Sequence, residues 1–151
     1  MITPPRRLWA WTLAIIFLIA HLPFLPSTLE DLDSLNFALG LHDFDPIEHQ
    51  PHPPGYPIFI ALGRMARTVV PSDARALALV GAILGSLAVL PLMTLLERIE
   101  SLRRGIEERR SALTVKLATV LAVASPLYWF NGLRPLSDVP GLAFALAAQF
   151  V

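Results

Sequence analysis

Residues 56–70, Tyr56-Pro-Ile-Phe-Ile-Ala-Leu-Gly-Arg-Met-Ala-Arg-Thr-Val-Val70, decide the fold. If they cross a bilayer, everything after them changes side; if they lie on its surface, nothing does. A helix spanning a ~30 Å hydrocarbon core needs about 20 mostly apolar residues. This stretch has 15, with Arg64 and Arg67 among them. At helical spacing Ile58, Phe59, Leu62, Met65, Ala66 and Val69 fall on one arc, and Gly63, Arg64 and Arg67 gather on another. That pattern predicts an interfacial helix over 56–70.

Outward from it lie longer apolar runs. Leu8 to Leu25 follows Arg6 and Arg7 and predicts a first span over about 8–26. A cleaved signal peptide shares the basic start, but the small-x-small cleavage pattern is missing and Pro23 and Pro26 follow instead. Further spans are expected over about 74–96 and 113–131. A fourth run, 138–151, is still apolar at Val151, so the expectation is an N-terminal piece of a longer protein. Charge fixes the orientation. With 56–70 flat, eight basic residues (Arg6, Arg7, Arg98, Arg103, Arg104, Arg109, Arg110, Lys116) face the cytoplasm and four lie outside. With 56–70 spanning, the split is about even and the densest basic loop is translocated, against the positive-inside rule. The expected fold is therefore an all-α membrane protein, one N-terminal membrane region over 1–151. It is a multi-spanning helical bundle whose outer loop, 27–73, carries interfacial helices.

Composition agrees. Of 151 residues 54% are hydrophobic and only 16% charged, with mean hydropathy +0.58; a soluble domain has about 25% charged residues. Twelve basic residues balance twelve acidic ones, so no general electrostatic case for a nucleic-acid partner exists. The absence of cysteine excludes disulfides, thiolate metal sites and a cysteine nucleophile.

The polar chemistry concentrates outside. Between Ser27 and Tyr56 stand Glu30, Asp31, Asp33, Asp43, Asp45 and Glu48 and three of the four histidines, without one Lys or Arg. Such a stretch is a solvated loop or a site that handles protons, cations or a metal. Ser27 with Glu30 fits a capping box, predicting a helix from Thr28 toward Leu41 with Leu29, Leu32, Leu35 and Leu39 buried. Glu30 and Asp33 then share a face, with Asp31 able to swing in near the helix start. A carboxylate there suits a general base or a divalent-cation ligand, and equally an acidic first turn that favours the helix dipole.

His49-Gln-Pro-His-Pro-Pro-Gly-Tyr-Pro57 is the most distinctive string. Its prolines bias the backbone to extended forms, so His52 is presented on a stiff segment, and Gly55 permits a close turn. Such a His can bind phosphate or metal, or be simply exposed. A divalent metal is the candidate cofactor, on Asp33, His49 and His52. Near the fourth run Arg134 and Asp138 are a candidate phosphate-binding cation with a neighbouring carboxylate, or an ion pair anchoring a helix at the interface.

Asp31-Leu-Asp33-Ser34, Asn-Phe-Ala-Leu-Gly40 and His52-Pro-Pro-Gly-Tyr-Pro57, ahead of an interfacial helix, resemble the N-terminal region of GT-C superfamily membrane glycosyltransferases. The protein O-mannosyltransferase-like and aminoarabinose-transferase-like branches are the nearest in pattern, with bacterial members that carry an HPPGYP string. The resemblance implies an inverting transfer of a sugar from a polyprenyl-phosphate donor to a protein, lipid or glycan acceptor. It places the enzyme in membrane lipid, the bacterial inner membrane, with its active site on the outer side. It further implies that Asp33 is the catalytic acid of the first loop, acting as base or metal ligand, and that His52, Tyr56, Arg134 and Asp138 bind substrate. Where relatives carry adjacent acids, Asp33 is followed here by Ser34, so the partner acid is Asp31, Glu30 or a residue elsewhere. A transporter fragment with a cation-gathering loop would need ionisable residues deep in its spans, which are not found. A non-enzymatic membrane protein with a solvated loop is the remaining alternative.

Overall fold

The computed structural model describes residues 4–102 and 108–150, with side chains from Arg7 to Leu102 and from Ala112 to Phe150. The side chains of Arg6, Arg103, Arg104, Arg109 and Arg110, counted above for the inner side, and Val151 lie outside the described residues. The described residues are helical with no strand: α1 Pro4–His21 followed by a 3-10 turn Leu22–Phe24, α2 Leu32–His42, α3 Pro57–Arg67, α4 Asp73–Leu102, α5 Glu108–Val123, α6 Pro126–Asn131 and α7 Asp138–Ala148. Arg7–Phe24 and Asp73–Leu102 are long and apolar enough to cross a membrane. The run expected as one span over 113–131 is two helices. Pro126 has no N–H to continue the ladder, and the Ser125 hydroxyl accepts from Tyr128 N–H to start α6 afresh.

The 30-residue α4 is about 45 Å long, and α1, α2, α3, α5 and α7 pack around it. Its small residues Gly81, Ala82, Gly85, Ser86 and Ala88 let neighbouring backbones approach closely. A Cβ at Gly85 would stand 2.9 Å from Val139 and 3.2 Å from Phe17, so α1 and α7 both close on that point. Ser86 Oγ donates to Ala14 O at 2.8 Å and Tyr128 OH to Gly85 O at 2.6 Å, satisfying buried hydroxyls without water. Buried Phe17 stacks on His21 and meets Tyr128 and Trp129 edge-on. The His21 ring nitrogens lie 2.7 Å from Phe17 O and 3.0 Å from Trp129 O, joining α1 to α6.

A second core sits at the Asp73 end of α4, where Phe37, Ala38 and Leu41 of α2, Phe59 and Ile60 of α3, and Leu136 meet Leu77 and Val80. Here two expectations are corrected. The helix after Pro26 opens at Leu32, not Thr28, because Asp31 is its cap: Asp31 Oδ1 accepts from Ser34 N–H at 2.7 Å while Ser34 Oγ accepts from Asp31 N–H. Its buried face is then Ser34, Phe37, Ala38 and Leu41, and Leu32, Leu35 and Leu39 point outward. Gly40 explains the choice. A Cβ there would lie 2.7 Å from the Pro51 ring, so this small-residue side is the one on which the proline loop can rest.

α3 is also turned from its expected register. At 11 residues it is about 16 Å long, too short to cross a ~30 Å core. Gly63, assigned by spacing to the polar arc, is buried against Leu41 and Leu77, alongside Phe59 and Ile60. Ile58, Met65 and Val69 face away from the protein. Arg64 turns back to donate to Leu41 O and Gly40 O at 3.0 Å each, satisfying the last carbonyls of α2. Asp73, opening α4, pairs with Arg67 of α3 at 2.6 Å and His42 of α2 at 2.9 Å.

Candidate functional site

α2 carries Asp33 on its first turn, and the side chain is 62% exposed, open to a water-borne partner. Facing it at 3.7 Å is Nδ1 of His52, too far for a hydrogen bond but within ion-pair range. That nitrogen is buried and has no hydrogen-bond partner among the described residues. The His52 ring is held by Phe37 at 5.3 Å and Tyr56 at 5.4 Å between centroids.

The stiffness expected of 49–57 has a specific form. Asp45 and Gln50 exchange two backbone hydrogen bonds, of 2.7 and 2.8 Å, which close a short loop. Within it Asp45 Oδ1 accepts from Ile47 N–H and Glu48 N–H, an Asx turn. His49 adopts φ 61. Pro51 is buried on Gly40, and Gly55 N–H donates to His52 O at 3.0 Å, so His52 opens a tight turn. Gly55 at φ 88 and Tyr56 at φ 46 then redirect the chain into α3, where Pro57 takes the first helical position. Left-handed backbone at two non-glycine residues, His49 and Tyr56, is held only where surroundings over-determine it. Tyr56 packs edge-on against Phe37, which supplies that restraint.

Arg134 reaches the same helix from the other side of the sequence. Its Nη2 donates to Asp31 Oδ2 at 2.7 Å. The expected alternative of an Arg134–Asp138 pair is thereby corrected, because Arg134 turns toward α2. Its loop is placed by Leu136, buried beside Phe37 and Leu77, and by Gly81, against which the Gly132 and Arg134 carbonyls rest. Arg134 and Glu30 border a cleft of about 330 Å³ with Phe24, Phe130 and Leu133. Glu30 precedes the helix, so the shared helical face expected for Glu30 and Asp33 does not form. Asp138 is exposed on the first turn of α7 and borders a different cleft with Ser125, Tyr128 and Asn131.

Of the three residues proposed for a metal, Asp33 and His52 approach one another, and His49 is exposed in the loop at Asp45–Gln50. Among the described residues no three His, Asp or Glu side chains gather as a metal-holding group. Spacing did not point to the ties at Asp73 or to the turn of Arg64 onto α2. The signal within reach was Asp31-x-x-Ser34, which has capping-box spacing.

Residues 49–151 match the family model described as "Protein O-mannosyl-transferase TMEM260 N-terminal domain". The match takes in His49, His52, Tyr56, Arg134 and Asp138 and begins after Glu30, Asp31 and Asp33. No curated protein and no solved structure matches the chain. The resemblance to protein O-mannosyltransferases is borne out: the chain belongs to the TMEM260 N-terminal domain family of protein O-mannosyl-transferases, and so to a family of enzymes that pass a sugar from a donor to an acceptor.

Proposed function

We propose that this chain is the N-terminal part of a GT-C-type glycosyltransferase, a multi-spanning membrane enzyme that moves a sugar from a polyprenyl-phosphate carrier to an acceptor hydroxyl on the non-cytosolic face. The observation that carries the reading is the exposed Asp33 carboxylate opposite His52, on a helix whose cap holds Arg134. Asp33 takes the proton of the acceptor hydroxyl as its oxygen attacks the anomeric carbon. The bond from that carbon to the carrier phosphate breaks with the electron pair leaving on the phosphate oxygen, and one displacement inverts the centre. Arg134 supplies the forked donors suited to the departing polyprenyl phosphate. His52, packed on Phe37 and Tyr56, fixes the protein surface that Asp33 faces.

Two further features support a membrane setting. Leu8, Ile15, Ile16 and Ile19 form an outward apolar side of α1, and Ile58, Met65 and Val69 one on α3; patches of this kind mark membrane or partner surfaces. A flat α3 keeps the outer segment and the Asn131–Ser137 loop on one face.

The donor class is tested by giving the full-length protein mannose on polyprenyl phosphate or on a nucleotide. Product from the lipid-linked donor alone, with its anomeric configuration inverted by NMR, is expected; product from the nucleotide donor alone would overturn the reading. Orientation is tested by single cysteines in the full protein, any other cysteine being replaced by serine. Glu48→Cys and Leu102→Cys, both exposed, are expected to label from opposite sides of sealed vesicles. Labelling from one side would remove the topology.

A further inference from the structure

The acidic cluster before α2 divides its labour in the structure. Asp31 uses both carboxylate oxygens: Oδ1 accepts the Ser34 amide at 2.7 Å and Oδ2 accepts Arg134 Nη2 at 2.7 Å. Its side chain is 28% exposed, against 62% for Asp33. The Asp31 carboxylate is thus occupied by an amide and a guanidinium, whereas Asp33, two residues on, is open to an incoming hydroxyl. Asp31 also binds through its backbone, since its carbonyl accepts from Leu35 N–H at 3.1 Å and from the Ser34 hydroxyl at 2.8 Å. Arg134, 103 positions away, thus holds the first turn of α2 through one side chain.

We propose that Asp31 is a positioning residue: it ties Arg134 to the first turn of α2 and so sets where the Asp33 carboxylate stands relative to the guanidinium. This rests on the proposed glycosyl transfer for its catalytic consequence, and on geometry alone for the tie. Removing the tie leaves both groups present but unregistered, and a misplacement of about 1 Å can lower a rate about 10²-fold.

Two measurements on the full-length protein separate these parts. In amide hydrogen exchange, Arg134→Gln is expected to speed exchange at Ser34 and Leu35 about tenfold, as Asp31→Asn does, whereas Arg134→Lys, which keeps the charge, stays within about threefold of wild type. Unchanged exchange at Ser34 and Leu35 in Arg134→Gln overturns the tie. In sugar transfer, Asp31→Asn is expected to lower kcat about 10–100-fold with donor KM within about threefold, the split that marks lost orientation rather than lost binding. A kcat within about twofold of wild type overturns the positioning role while leaving the proposed function standing. If wild type transfers no sugar but the exchange coupling is present, the proposed function falls and the tie is upheld.

Discussion

Asp33→Asn in the full-length protein is expected to lower the rate of sugar transfer by about 10²–10⁴-fold, the range associated with loss of a general base. The amide is nearly the same size as the carboxylate, so packing is preserved. Asp33 makes no contribution to the helix cap, which Asp31 and Ser34 complete between them. Among the described residues the ionisable group facing it is His52 at 3.7 Å, and the side chain is mostly exposed. The loss should therefore fall on kcat, with stability lowered only by the small first-turn dipole contribution of an exposed carboxylate. Asp43→Asn is the matched control, since Asp43 is also exposed but lies at the other end of α2. Wild-type transfer in Asp33→Asn would remove this residue from catalysis and, with it, the chemistry assigned to the outer loop.

The largest effect on stability is expected at Phe17. The ring is 1% exposed and touches α4 at Gly85, α6 at Tyr128 and Trp129, and Gly132 just beyond α6. Phe→Ala at such a position costs about 3–5 kcal/mol, part transfer and part cavity. In the proposed membrane setting the transfer part shrinks and packing dominates, which places the expectation at the lower end, about 3 kcal/mol. The glycines opposite cannot fill the void, because they have no side chain to move into it. Unfolding in detergent micelles titrated with a denaturing detergent checks the value. Ile16→Ala, on the outward side of α1 at 55% exposure, should shift the midpoint by about 1 kcal/mol or less. A Phe17→Ala shift no larger than that control would show that the α1–α4–α6 junction does not hold the bundle together.

These sites show what the sequence could and could not carry. Helical character was legible in the length and continuity of the apolar runs, and the brevity of the 56–70 helix in its two arginines. The register of α2 was not. Leu32, Leu35 and Leu39 are as apolar as the face that is buried, and periodicity cannot choose between two apolar arcs. What chooses is Gly40 meeting Pro51, a contact between residues whose proximity exists only after folding. The break at Ser125-Pro126 was written in plain sight but hidden by hydrophobicity on both sides. At the site, Asp33 and His52 stood out by composition and stiffness, and the structure does bring them together. Arg134 was visible as an unusual cation, yet its partner was sought four residues away at Asp138. The true partner lies across 103 residues, a separation at which local spacing has no voice.

The clasp at Asp73 has a mechanical corollary. Because it grips His42 and Arg67 at once, while Arg64 seals the end of α2, the adjoining tips of α2, α3 and α4 are riveted into one plate. That plate cannot be pried apart without breaking several of these contacts together. The segment from Asn131 to Ser137 is joined to the plate more lightly, its single polar latch among the described residues being the grip of Arg134 on Asp31, so displacement at this end of the protein is expected there first.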